Sequence, residues 1–179
     1  MDESALIEKC LKGDQLAQRT LFDKYAPKMF SVALRYAKDT DQAEDVLQDA
    51  FVKVFMKLDR YNGKGSFEGW IRRIVVNTAL DSIRKNIKFQ DNISSDYVAY
   101  KLEQNVFTGD SLDEEFLLKT INSMPDGYKI VFNMFAIEGY SHKEIAKELD
   151  ISENTSKSQY SRARAYLKQR LKELGFERD

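Results

Sequence analysis

The sequence predicts an all-α protein with two small helical domains. Apolar residues recur with helical period in almost every segment, and the alternation typical of strands is essentially absent. The only two prolines, Pro27 and Pro125, stand where a helix can begin. A polar, acidic stretch separates the two helical parts. We therefore predict a first domain at 1–88, a flexible acidic linker at 89–110 and a second domain at 111–179.

The same periodicity locates the individual helices. In the first domain we expect them near Ser4–Lys12, Gln15–Tyr25, Pro27–Ala37, Asp41–Leu58 and Phe67–Asn86. In the second domain we expect them near Leu112–Ser123, Pro125–Glu138, Ser141–Leu149 and Glu153–Leu174. Cys10 falls on the apolar side of the first helix, so a buried thiol is expected. Trp70 is expected at the centre of the first domain's core.

Composition argues against an enzyme. With one histidine and one cysteine, no zinc cluster can form from these residue types, and no intrachain disulfide is possible. The sequence has no glycine-rich phosphate loop and no combination of nucleophile, base and orienting group. His142 lies just inside a helix start, where a solvated side chain is expected. We predict a non-enzyme without cofactor or metal.

A cytoplasmic location is expected from the distribution of charge along the chain. The longest run without a charged residue, Ile130–Ile137, has eight residues, whereas a membrane helix needs about 20 apolar ones. The N-terminus, MDESALIEKC, is acidic and lacks the apolar core of a secretory signal.

The net charge of -1 hides three blocks of opposite sign. Residues 152–172 carry six cations against one acid, and residues 67–88 carry five cations against two acids. Between them, residues 89–118 carry seven acids against one lysine. Because local fields steer association, the two basic segments are candidates for binding nucleic acid.

The segment Ser141–Arg164 carries the most specific signal, a helix, a tight turn and a second helix. Ser141 and Glu144 form a capping box, and Ser152 can cap the second helix. The second helix displays the cations and short polar side chains that reach phosphates and base edges in the major groove. An ordinary helical hairpin with a solvated charged face is the alternative.

Two features of the first domain have both a structural and a functional interpretation. Asp45, Gln48 and Asp49 lie opposite the apolar stripe of their helix; acids suit a helix N-terminus, but they also offer a compact surface to a basic partner. Aromatic residues beside the basic loop 61–67 either stack on unpaired bases or form core. Asn77 lies one turn from Asp81, so a local hydrogen bond is its structural interpretation.

These motifs together resemble a known family. Residues 43–51 (AEDVLQDAF), 67–77 (FEGWIRRIVVN) and 124–132 (MPDGYKIVF), followed by the capped helix at Ser141, occur in family order. Over about Cys10 to Leu171 the chain is similar to bacterial RNA polymerase sigma factors of the extracytoplasmic-function group of the sigma-70 family. The resemblance implies a region 2 domain, an acidic linker that threads a basic polymerase channel, and a region 4 domain.

The resemblance also implies roles for particular residues. Asp45, Gln48 and Asp49 would contact the clamp helices of the polymerase largest subunit. The loop from Tyr61 to Phe67 would form part of a pocket for a flipped base of the minus-ten element. Arg73 and Asn77 would read or hold that strand, and Arg84 and Lys85 would touch duplex phosphates just upstream. The minus-thirty-five element would be read in the major groove by Thr155, Lys157, Ser158, Gln159, Arg162 and Arg164.

Three positions depart from the family pattern. Asp150 stands where a glycine is common in the turn, but aspartate tolerates turn geometry. Ser156 stands where an apolar residue is usual, so Tyr160, Ala163 and Leu167 are expected to form the inner face of the recognition helix. Gln159 stands where a basic residue is common, which means that either the base preference differs or a phosphate contact is missing.

The implied partners are core RNA polymerase, promoter DNA and an anti-sigma factor, with no insertion into a membrane and a monomeric free protein. Two rival interpretations explain less of the sequence. A stand-alone helix-turn-helix regulator would explain Ser141–Arg164 but not the Asp45–Asp49 surface, and it predicts a dimer on a palindromic site. A helical protein-interaction adaptor leaves the basic second helix unexplained.

Overall fold

The computed structural model describes residues 2–91, 117 and 119–173. Over these residues the protein consists of helices and turns without a strand, and it forms two compact units that divide between residues 105 and 106. The predicted all-α class with two helical domains is therefore confirmed. Apart from residues 89–91, the predicted linker at 89–110 lies outside the described residues.

The described residues of the first unit, 2–91, form four α-helices. They are α1 (Glu3–Leu11), α2 (Gln15–Leu34), α3 (Thr40–Met56) and α4 (Phe67–Asp91), with a 3-10 turn at Leu58–Arg60. Asp14 caps α2 by accepting a hydrogen bond from the Leu16 amide at 2.9 Å. Asp39 caps α3 by accepting one from the Gln42 amide at 2.7 Å. Side-chain caps therefore fix where both helices start.

Helix α2 runs unbroken through Pro27, so the predicted helix start at Pro27 is wrong. Pro27 is exposed, which places its ring on the solvent side of the helix. The opposite side carries a row of buried residues that continues past the proline: Leu21, Tyr25, Met29 and Val32. Burying this row offsets the helix-breaking cost of an interior proline, about 3 kcal/mol or more.

The core of the first unit lies beneath α4, where Phe67, Ile71 and Val75 are at most 1% exposed. These residues are one turn apart and define the inner face of the helix. Trp70 lies one position off this row and is half-buried, so the prediction that it forms the centre of the core is wrong. Its ring instead stacks on Phe67 with centroids 5.6 Å apart. Cys10 is 4% exposed, as predicted.

In the second unit, the described residues form a helical stretch at 119–122 and three longer helices. These are α5 (Asp126–Phe132), α6 (His142–Leu149) and α7 (Glu153–Glu173), and a π-helical turn at Asn133–Ile137 prolongs α5. Pro125 stands directly before α5, as its sequence context predicts. Ile121, Met124 and Ala163 are buried together, so α7 packs on the helices before it.

Candidate polymerase and nucleic-acid interfaces

Helices α6 and α7 both begin with the side-chain caps that the sequence predicts, and a tight turn joins them. Ser141 Oγ accepts a hydrogen bond from the Glu144 amide at 3.2 Å, and Glu144 Oε2 accepts one from the Ser141 amide at 2.9 Å. Asp150 ends α6 in the left-handed conformation with φ 54°. Ser152 Oγ then accepts a hydrogen bond from the Thr155 amide at 2.9 Å and caps α7. The two side-chain caps therefore fix where α6 and α7 begin.

The inner face of α7 contains a polar contact that the sequence did not suggest. Ser156 is 0% exposed, and its Oγ lies 2.9 Å from His142 Nδ1. The His142 ring also stacks on Phe135 with centroids 4.2 Å apart. The prediction of a solvated His142 is therefore wrong, because the turn places the start of α6 against α7. Ala163 is fully buried as predicted, whereas Tyr160 and Leu167 are half-buried.

The outer face of α7 presents four of the six predicted groove-reading residues to solvent. Lys157, Ser158, Arg162 and Arg164 are exposed. Lys157 Nζ lies 2.9 Å from Glu153 Oε1, and this hydrogen bond lowers the pKa of the Glu153 carboxyl. The face is therefore cationic with hydroxyls interspersed, which suits contact with phosphates and base edges.

Thr155 and Gln159 differ from these four residues because both are half-buried. The Thr155 amide and hydroxyl both contact Ser152 Oγ, so Thr155 belongs to the cap of α7. Gln159 Oε1 is buried without a hydrogen-bond partner in the described part of the chain. A Cβ placed on Gly127 would lie 3.5 Å from that oxygen, so the amide packs against the start of α5.

Helix α3 presents Asp45, Gln48 and Asp49 to solvent, while Ala43 and Val46 on its other side are buried. The three predicted polymerase-contacting residues therefore share one solvated face.

An open groove of about 440 Å³ runs beside this face, between α2 and α3. It is lined by Phe22, Asp23, Ala26, Pro27, Phe30, Glu44, Leu47 and Gln48. Sequence analysis missed the groove, although Phe22, Ala26 and Phe30 recur one turn apart on α2 and form a second apolar row beside the buried one. Such a row predicts a surface that is apolar but not fully covered.

The loop between α3 and α4 is shaped by its glycines and its own hydrogen bonds. Gly63 and Gly65 have φ 72° and 82°, which favours glycine. Asn62 Oδ1 accepts a hydrogen bond from the Lys64 amide at 3.0 Å, and the Tyr61 hydroxyl donates one to the Gly65 carbonyl at 2.9 Å. The Tyr61 ring is half-buried and packs on the Phe67 ring, with the two centroids 4.9 Å apart. Of the two predicted pocket aromatics, Tyr61 is therefore the one that reaches the surface.

Arg73, Arg84 and Lys85 are exposed on α4. Asp81 forms two ion pairs: its Oδ1 lies 3.0 Å from Arg84 Nη1, and its Oδ2 lies 3.2 Å from Lys53 Nζ. Asn77 is half-buried, and its Oδ1 is buried without a hydrogen-bond partner among the described residues. A local hydrogen bond to Asp81 would use the Asn77 amide nitrogen as donor, and it stays a prediction.

In the part of the chain that the structure describes, no group of three or more His, Cys, Asp or Glu side chains is placed to hold a metal ion. No described helix has the length and apolar content that crossing a bilayer requires.

Comparison with known proteins identifies both units. Residues 21–88 match the family model of Sigma-70 region 2, and residues 116–167 match that of Sigma-70, region 4. The ECF RNA polymerase sigma-E factor of Escherichia coli K12 is 30% identical over 97% of this chain and 96% of its own length. The protein of the same name from Haemophilus influenzae is 26% identical over 97% of each.

Two solved structures share the fold. The sigma factor RpoE from Bartonella quintana, in complex with the anti-sigma factor NepR, matches with a TM-score of 0.55 and 25% identity over 86% of this chain and 96% of that one. CnrH, in complex with the cytosolic domain of CnrY, matches with a TM-score of 0.51 and 23% identity over 94% of this chain and 96% of that one. With both units and nearly the full length matched, the chain belongs to the extracytoplasmic-function group of the sigma-70 family, whose members are non-catalytic transcription initiation factors.

Proposed function

We propose that this protein binds core RNA polymerase, recognises the minus-ten and minus-thirty-five elements of promoters and promotes DNA melting at the start of transcription. The observation that carries the proposal is the division of surfaces between the units. An acidic face on α3 lies in the unit that matches region 2, and a capped helix with an exposed cationic face lies in the unit that matches region 4. In this proposal the units are the domains 1–88 and 111–179, joined by 89–110.

The polymerase contact uses Asp45, Gln48 and Asp49. All three are solvated, so a partner can reach them without disturbing the core beneath. Carboxylates at this surface favour a partner that presents lysines or arginines, and such complementarity raises the association rate and fixes the register of the complex.

The minus-ten contact uses the loop 61–67 and the outer face of α4. Tyr61 offers a ring on which an unpaired base can stack, and Phe67 supports that ring from the core. The half-buried Asn77 lies one turn from the exposed Arg73, so the two side chains can hold a base and its phosphate. Arg84 and Lys85 extend the cationic surface toward duplex DNA. Flipping a base costs a few kcal/mol, which stacking and hydrogen bonds at this site offset.

The minus-thirty-five contact uses the exposed residues Lys157, Ser158, Arg162 and Arg164. Thr155 acts through the cap of α7, and Gln159 through its packing on Gly127. Base and phosphate contacts therefore depend on the four exposed residues.

An anti-sigma factor is a further proposed partner. Both similar structures contain a sigma factor bound to a second protein, which for RpoE is the anti-sigma factor NepR. Such a partner would compete for surfaces that this chain offers to core polymerase.

Run-off transcription with the host's core polymerase tests the proposal. We expect the protein to produce new starts that share two upstream elements. Changing Asp45, Gln48 and Asp49 together to Ala should weaken core binding without loss of fold, because that face is solvated. Glu8→Ala, which removes an exposed acid from α1, is the control and should bind like wild type. Core binding unaffected by the triple change would refute the α3 assignment.

The promoter contact is tested separately with duplex DNA. Arg162→Ala should cost about 1–3 kcal/mol of discrimination between the preferred minus-thirty-five element and a scrambled one. Lys168→Ala, which removes a cation farther along α7, should leave that ranking unchanged. An unaltered ranking for Arg162→Ala would remove Arg162 from the readout.

A further inference from the structure

Helix α1 lies outside the segment that matches Sigma-70 region 2, which spans residues 21–88. It is nevertheless packed into the first unit, because Leu6 and Cys10 are buried. Its first residue, Glu3, accepts a hydrogen bond from the hydroxyl of Tyr25 on α2. The family match therefore leaves α1 without a role, although the helix is joined to the matched segment by a polar contact.

Tyr25 links α1 to the aromatic residues that surround the loop before α4. Its ring is buried and packs edge-on against the Phe67 ring, with centroids 5.6 Å apart. The Phe67 ring in turn packs on the Tyr61 ring. Burial raises the pKa of the Tyr25 hydroxyl, and so do Glu3, Glu68 and Tyr61. Because electrostatic effects weaken with distance, the Glu3 carboxylate and the Tyr61 hydroxyl lie at the same end of the unit.

We propose that Glu3 is a positioning residue for the minus-ten contact: through Tyr25 and Phe67 it holds the Tyr61 ring in the orientation that receives an unpaired base. This inference rests on the proposed function, because it takes the Tyr61 ring as the surface on which a flipped base stacks. It brings a helix outside the matched segment into promoter recognition, and it gives Glu3 a role that needs no contact with DNA.

The Tyr61 ring depends on its neighbours because the backbone of its loop holds it weakly. Gly63 and Gly65 have φ 72° and 82°, and glycine loses more conformational freedom on folding than any other residue. The ring is oriented by its hydrogen bond to the Gly65 carbonyl and by the rings of Phe67 and Trp70, whose centroids lie 4.9 and 5.6 Å away. A ring that is already in place spares the complex the cost of ordering it.

The support from α1 is specific to Glu3. Among the ring contacts of Phe67 in the described part of the chain, Tyr25 is the partner that comes from outside the loop and α4. Without the Glu3 acceptor the Tyr25 hydroxyl is left without this hydrogen bond, and its ring shifts to recover a partner. Phe67 follows that shift. Glu8, an exposed acid on the same helix, contacts Lys12 instead.

Binding of a single-stranded minus-ten oligonucleotide tests this inference. The complex of the full chain with the host's core polymerase is titrated with the non-template strand of a promoter found by run-off transcription, and with copies that lack one base in turn. The flipped base is the one whose absence weakens the wild-type complex but not the Tyr61→Ala complex.

Stacking on an aromatic ring is worth about 5- to 150-fold in affinity per base. Glu3→Ala should lose part of this gain, about 3- to 10-fold, on the intact strand, because the ring is no longer held in place. It should lose nothing on the copy that lacks the flipped base.

Three further variants serve as controls. Glu8→Ala removes an ion pair from the same helix and should bind both strands like wild type. Glu3→Gln keeps an acceptor for the Tyr25 hydroxyl and should restore most of the affinity. Tyr25→Phe should resemble Glu3→Ala, and the two changes combined should add no further loss, since both break one contact.

Wild-type affinity of Glu3→Ala for the intact strand would overturn this inference and leave the proposed function standing. Equal losses on the intact strand and on the copy without the flipped base would also overturn it, because a general loss of stability acts on both strands. If the wild-type complex bound the intact strand no better than any of the copies, the inference and the proposed minus-ten contact would both be wrong.

Discussion

The two units bury their functional helices in different ways. Beneath α4 the first unit is apolar, with Phe67, Ile71 and Val75 nearly inaccessible. Beneath α7 the second unit buries a hydroxyl, Ser156, against the chain's single histidine. An apolar face stabilises the folded state in any orientation that removes it from water. A buried hydrogen bond stabilises the folded state only when donor and acceptor are correctly aligned. The second arrangement therefore fixes the orientation of α7 more than it adds to stability.

The largest expected effect tests the apolar side of this comparison. Ile71→Ala removes a fully buried side chain and should lower the free energy of unfolding of the first unit by about 2–5 kcal/mol. Urea unfolding followed by Trp70 fluorescence isolates this unit, because Trp70 is the only tryptophan. A loss below about 1 kcal/mol would mean that the site collapses around the cavity, contrary to a closely packed core.

A double-mutant cycle tests the polar side. Ser156→Ala should cost about 1–3 kcal/mol, since it leaves the His142 ring nitrogen without its partner. Adding His142→Phe should recover much of that loss, because both polar atoms are then gone and the new ring can stack on Phe135. Urea unfolding followed by circular dichroism measures the second unit. Strict additivity of the two changes would show that the Ser156–His142 contact contributes no coupling energy.

A smaller effect is expected where α4 begins. Ser66 Oγ accepts a hydrogen bond from the Gly69 amide at 3.1 Å, and a Cβ on Gly69 would lie 2.9 Å from that oxygen. Gly69→Ala should displace the cap and cost about 0.5–2 kcal/mol. Ser66→Ala should cost a similar amount. The double variant should cost little more than either single one, and a full sum of the two would refute this explanation.

The smallest expected effect concerns a polar contact at the edge of the first unit. Burial and the hydrogen bond to Glu3 raise the pKa of the Tyr25 hydroxyl above its ordinary value. The folded state therefore holds this proton more tightly than the unfolded chain, so stability falls as the pH rises above about 10.

Tyr25→Phe should lower stability by about 0.5–1.5 kcal/mol at neutral pH. It should also reduce the decline between about pH 9 and 11, measured by urea unfolding. If stability declined identically with pH in both proteins, groups other than the Tyr25 hydroxyl would be its cause.

Sequence periodicity predicted most of the fold, because the apolar stripes of α3 and α4 face the core directly. It failed at Pro27, where tertiary burial of Tyr25 and Met29 overrides a local helix breaker. It failed at Trp70, because this residue lies one position before the buried Ile71 on α4 and is therefore at the edge of the core instead of its centre.

The candidate sites were predictable in residue type but only partly in orientation. Exposure of Asp45, Asp49 and Arg162 follows from their distance from the apolar stripes. The inward turn of Gln159 and the contact between Ser156 and His142 depend on how α5, α6 and α7 cross, and helical period within a single segment does not specify crossing geometry.

Under the proposed function, the contact between Gln159 and Gly127 limits how promoter specificity can be redesigned. Residue 159 lies in the proposed recognition helix, yet its amide oxygen lies 3.5 Å from where a Cβ on Gly127 would stand, at the start of α5. A library that varies α7 alone would change this position without its neighbour, and a larger residue at 159 would tilt the helix as well as alter its chemistry. Varying positions 127 and 159 together separates these effects and gives new base preferences on an unmoved helix.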